Sequence, residues 1–153
     1  MDIKKLSGKL LSVHIDPDDD IITFTIGHWS GKPVKKVSFQ AVGDCCSSSY
    51  FYEIVGAEKV LGKWIQEVEE LSLDVEPGTE SIGTDYPYVV EAYAYRVSSE
   101  PGKLDLGSAT IDVSNSMIIV FRNDSNGYYG GTLEPTEQHT DKVEITSSWH
   151  VTD

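Results

Sequence analysis

The sequence is poor in positive charge. It carries 12 Lys and Arg against 25 Asp and Glu, a formal net charge of −13. Nucleic-acid binding rests on Lys and Arg at phosphates, and anionic bilayer surfaces attract the same residues, so this balance argues against both partners. It suits solubility or docking on a basic protein. Long apolar runs are also lacking. No stretch is long enough to span a bilayer, and the opening Met1-Asp2-Ile3-Lys4-Lys5-Leu6 has no apolar segment of the signal-peptide kind. A cytoplasmic protein is expected. Cysteine is scarce: Cys45 and Cys46 are the only two, and they are adjacent. Neighbouring cysteines can close only a strained small ring, and a reducing cytosol keeps thiols free, so no disulfide framework is expected.

What is present points to sheet. A chain of 153 residues with 39% hydrophobic residues fits one domain over 1–153 with a packed core. Eight tyrosines favour strands. Residues 6–15 are apolar-rich and end in the turn Asp16-Pro17-Asp18. Residues 21–26 place Ile22, Phe24 and Ile26 on one face, and residues 34–42 place Val37, Phe39 and Ala41 on one face. Tyr50, Phe51, Ile54 and Val55 fall at helical spacing after Asp44 and Ser47, with Gly56 as a stop, which predicts a short helix; a further helical turn fits 57–61. Residues 64–75 read as a strand with a bulge at Glu69-Glu70. Residues 88–97 follow as a strand, then 104–113 and 117–122 joined by a turn at Ser114-Asn115, and last 143–151. Asn126-Gly127 marks a tight turn. The expected fold is α+β: a mainly antiparallel sheet system of about seven to nine strands with one short helix.

Two segments bear chemistry. In the first, a thiol of Cys45 or Cys46 at a helix N-terminus would ionise more easily, but Asp44 opposes this and no histidine stands at a diagnostic spacing. The alternative is that Asp44 caps the helix and the cysteines pack as small apolar groups. Adjacent cysteines do not match zinc spacing. Ser47 and Ser48 at the same helix start could hold an anion or simply cap, and the Gly-Lys-Ser ending of a P-loop is missing. In the second segment, Arg122 could pair with a phosphate, while Tyr128 and Tyr129 beside Asn126-Gly127 could stack on a base or sugar. The same residues also make an ordinary hairpin.

Gly43-Asp44-Cys45-Cys46-Ser47, then Leu61-Gly62-Lys63, and Ser125-Asn126-Gly127-Tyr128-Tyr129, together with the opening Leu6-Ser7-Gly8, resemble an uncharacterised domain family of bacteriophages and bacteria with Asp-Cys-Cys and Ser-Asn-Gly-Tyr-Tyr signatures. The loops at 76–86 and 131–142 match nothing in that pattern. The resemblance implies phage or prophage origin and a mixed, β-rich fold. It implies no activity, although phage proteins of this size often antagonise host defences.

Three functions stay open. The first is a non-enzymatic protein, without cofactor or metal, that captures a small ligand such as a nucleotide signal of host immunity. Its site would combine Asp44, Cys45, Cys46, Ser47, Ser48, Arg122, Asn126, Tyr128 and Tyr129 in one concavity. The second is an acidic inhibitor docking on a basic host protein such as a nuclease. The third is an enzyme using Cys45 or Cys46, for which no base is evident. Homo-oligomerisation is compatible with all three.

Overall fold

Where polar and apolar residues alternate, the chain extends. The computed structural model describes residues 1–28, 34–43, 47–73, 89–125 and 131–152. Among these residues ten strands form one antiparallel sheet: β1 (Gly8–Asp16), β2 (Ile21–Gly27), β3 (Lys35–Gly43), β4 (Ser48–Val55), β5 (Trp64–Ser72), β6 (Val89–Asp105), β7 (Thr110–Ser125), β8 (Gly131–Thr136), β9 (Val143–Glu144) and β10 (Trp149–His150). The order across the sheet is β10-β4-β7-β6-β5-β1-β2-β3-β8, with β9 added beside β1. The first three strands follow the sequence pattern. Ile22 pairs with Phe39 and Phe24 with Val37, so the two expected apolar faces are one face.

The architecture is all-β among the described residues, with two short 3-10 turns at Ile3–Lys5 and Ala57–Lys59, and not the expected α+β. The segment read as a helix is strand β4. Its helical spacing comes from a β-bulge: Phe51 pairs with Phe121 and Glu53 with Val120, leaving Tyr52 as the extra residue. A bulge lets residues three apart share a face, so Phe51 and Ile54 both point into the core. The same device acts twice more. Bulges at Leu11 in β1 and Gln66 in β5 put Leu10 with Val13 and Ile65 with Val68 on buried faces. The bulge in β5 therefore lies near its start and not at Glu69-Glu70. Gly56 ends β4 in a left-handed conformation, φ 82°, and opens the second 3-10 turn instead of stopping a helix. The expected turn at Ser114-Asn115 is absent: Asn115 pairs with Ser99 inside one long β6–β7 hairpin.

The two ends of the sheet curl toward each other around Phe24, Phe39, Phe51, Phe121, Ile119 and Met117, all fully buried. Between β3 and β4 side chains, rather than a backbone ladder, join the seam. Ser49 Oγ donates to the Val42 carbonyl at 2.9 Å, and Asn123 Nδ2 donates to Ser49 Oγ at 2.8 Å and to Ser47 Oγ at 3.1 Å. Residues 139–140 lie against the face of β2–β3 opposite Phe24 and Phe39, where the Thr140 N–H donates to Thr23 Oγ1, itself 2.7 Å from Ser38 Oγ, and β9 then joins the sheet beside β1. None of the helices among the described residues is long and apolar enough to cross a membrane.

Candidate functional site

At the seam end of the curled sheet lies a cavity of about 300 Å³. Its wall is built from neighbouring strands. Tyr93 on β6 pairs directly with Phe121 on β7, and Tyr95 stands two residues along on the same face. Side chains of cross-strand pairs lean together, and here the rings stack. The Tyr93 and Phe121 centroids are 5.1 Å apart at 19° between planes, and those of Tyr95 and Phe121 6.3 Å apart at 10°. Opposite them run Gly131, Thr132 and Leu133 of β8, while Glu70 of β5 and Asp2 and Lys4 of the first turn complete the lining. A pocket of this size suits a small ligand.

The polar groups at this wall are mostly acceptors. The Tyr93 hydroxyl donates to the Glu91 carboxylate on the same face of β6. Burial pushes the Tyr93 phenol up, the Glu91 hydrogen bond adds to this, and the Gly131 N–H works against it. Burial also raises Tyr95, helped by the charges of Glu70 and Asp2. Both phenols therefore stay protonated and neutral at physiological pH.

Asn123 sits beside this wall, buried between Gly43 and Gly131, which pair with each other. A Cβ at Gly131 would come within 2.3 Å of Ser49 Oγ and 3.1 Å of Asn123 Cβ; at Gly43 it would meet Ser47 Oγ at 2.5 Å. Only glycines allow this close approach. The Asn123 Oδ1 is buried and accepts no hydrogen bond among the described residues.

The residues singled out in the sequence distribute unevenly. Asp44, Cys45, Cys46, Asn126, Tyr128 and Tyr129 lie outside the described residues. Their anchors, however, meet. Gly43 pairs with Gly131, and Ser48 pairs with Asp124, so the residues that flank both signature segments sit at adjacent strand ends. Gly131 also lines the cavity. Ser47 belongs to this seam through Asn123, whereas Ser48 is exposed. The helix N-terminus that would have given Ser47 and Ser48 an anion-binding role is replaced by the extended start of β4.

Arg122 lies on the opposite face of β7 from Phe121 and Asn123, because successive strand residues alternate. Its guanidinium stacks on Tyr52, 3.5 Å from the ring centroid, and its buried Nε meets no acceptor among the described residues. Tyr52 meets His150 edge-on at 4.7 Å, and the Tyr50 hydroxyl reaches Asp124 at 3.4 Å. Arg122 is thus separated from the cavity by the sheet. Among the described residues no group of three His, Cys, Asp or Glu is gathered as metal ligands would be.

Sequence reasoning missed Tyr93, Tyr95, Phe121 and Glu70 as a site. The alternation of Tyr93 and Tyr95 was visible, but their stacking on Phe121 depends on strand register. Compared with protein-family models, curated proteins and solved structures, the chain matches none.

Proposed function

We propose that the protein is a non-enzymatic binding protein that captures a small ligand in the cavity between β5–β7 and β8. One observation carries this reading: three stacked aromatic rings, Tyr93, Phe121 and Tyr95, form one wall of an open cavity of about 300 Å³. Tyrosine rings at a concavity offer a large, rigid apolar contact with a polar tip, which holds a planar molecule at little entropic cost. Gly131, which follows 126–130 in the chain, lines the cavity and pairs with Gly43, which precedes 44–46, and Asp44, Cys45, Cys46, Asn126, Tyr128 and Tyr129 are proposed to complete the site. A protein that only binds acts by sequestration. In the host cytoplasm that would remove a small signal of defence, in keeping with the phage origin that the resemblance implies.

The test is native mass spectrometry of the protein after incubation with cell extract. The wild type is expected to retain a small mass that Tyr95→Ala releases. No retained mass, or a mass retained equally by the variant, overturns the reading.

The net charge of −13 favours a second reading, docking on a basic protein. In the same measurement it predicts a co-purifying basic protein whose release follows added salt and is unaffected by Tyr95→Ala.

A further inference from the structure

We infer that the cavity selects a planar organic cation rich in N–H donors, a guanidinium, amidinium or protonated amino-heterocycle, over neutral or anionic molecules of the same shape. This rests on the reading of the cavity as a ligand site, and it narrows the class of ligand.

The wall supplies two features that favour such a group. The first is the set of ring faces. An aromatic ring is negative on its face, so a cation over Tyr93 or Tyr95 is attracted while an anion is repelled. The second is the placement of carboxylates. Glu70 and Asp2 line the cavity and are close enough to the Tyr95 hydroxyl to help keep its proton on, and Glu91 holds the Tyr93 hydroxyl. A ligand entering between the rings and β8 therefore meets oxygen acceptors at its edge. Planar N–H-rich cations match carboxylates with parallel hydrogen bonds. Lys4 is the one basic residue among the described residues lining the cavity, and it sits on the same short turn as Asp2, whose carboxylate accepts the Lys4 backbone N–H at 2.9 Å. Its long flexible stem can carry the ammonium out to solvent, whereas Glu70 is fixed on a strand. The overall charge of −13 acts in the same direction, concentrating cations and depleting anions near the surface.

Among the described residues that line the cavity, a phosphate could pair with Lys4 alone. The one arginine of β7, Arg122, lies across the sheet against Tyr52. A nucleotide would thus be held by a protonated or amino-bearing base, with its phosphates outside the cavity wall.

Three molecules of nearly equal shape separate the possibilities: benzamidine, benzamide and benzoate, titrated into the full chain and followed by the NMR resonances of the Tyr93 and Tyr95 rings. Benzamidine is expected to bind at least about tenfold more tightly than benzamide, and benzoate more weakly still. Glu70→Gln should reduce the benzamidine preference by about tenfold. If benzamide or benzoate shifts the same resonances with equal or higher affinity, the cation inference is overturned while the cavity stands as a binding site. If none of the three gives a saturable shift, both the inference and the ligand-site reading fall.

Discussion

The Asp20 carboxylate accepts the Phe51 backbone N–H at 3.3 Å, fastening the turn between β1 and β2 to the middle of β4. The same residue accepts the Ala41 N–H at its carbonyl, 2.9 Å, and holds a left-handed φ of 55°. Three chain segments therefore meet at one acidic residue, on the side where the sheet has no ladder to close it.

Asp20 carries the first prediction. Burial pushes its carboxyl up to about 6 from an ordinary 3.8, opposed by the Phe51 N–H and reinforced by Asp16, Asp19 and Asp18. The folded protein thus holds this proton more tightly than the unfolded chain. The stability that Asp20 contributes is fully present below 3.8 and is lost as pH rises through about 6. Asn keeps the acceptor, tolerates the left-handed backbone and carries no charge. Asp20→Asn should gain about 1 kcal/mol over wild type above about pH 7, after allowing for solvent screening of a half-exposed group. The gain should vanish near about pH 4. Thermal unfolding across this range checks it, and a gain independent of pH would sink the assignment.

Neighbouring Asp16 behaves oppositely. Burial would raise its carboxyl, but the Asp19 N–H, Lys142 and the Asp18 N–H together hold it below the ordinary range. Its stabilising contribution is present above 3.8 and fades as pH falls below that value. The two aspartates make opposing contributions to the pH dependence of stability.

The second prediction concerns the seam. Asn123 is wholly buried and donates to both Ser47 and Ser49. Asn123→Ala removes both bonds from the buried seam, at a cost of about 1–3 kcal/mol. Urea unfolding measures the loss. Amide exchange should quicken first around Ser49 and Thr132, where the sheet ends meet; uniform quickening across β1–β3 would show that Asn123 does not close the seam.

A third prediction follows from Gly131, whose missing Cβ leaves room for Ser49 Oγ. Gly131→Ala should destabilise by about 1–3 kcal/mol, since Ser49 is tied to Val42 and Asn123 and cannot swing aside freely. Ser49→Ala removes the obstructing oxygen. The cost of Gly131→Ala should therefore be smaller in a Ser49→Ala background, a coupling that a double-mutant cycle detects. Additive costs would mean that the two sites do not touch.

Much of the sheet was legible in the sequence. Residues 21–26 and 34–42 alternate cleanly, and both their strands and their shared apolar face follow from a side-chain period of two. The same period puts Tyr93 and Tyr95 of β6 on one face, opposite Phe121 and Ile119. The helix was misread because Phe51 and Ile54 stand three apart, a spacing that a helix and a bulged strand produce equally. The true discriminator is the partner strand, which pairs Phe51 with Phe121 and Ile54 with Ile119.

By itself the sequence determined the negative charge, the β-rich class and the turn that follows Asp16, because these depend on residue type and on near neighbours along the chain. Only the tertiary structure decided where the bulges fall, which aromatic rings stack, that Gly43 meets Gly131 across the seam, and that Arg122 faces away from the cavity. Those outcomes rest on register between strands distant in sequence. A one-residue change of register turns every side chain of a strand to the other face, so a site built across β5, β6, β7 and β8 exists only once all four are aligned.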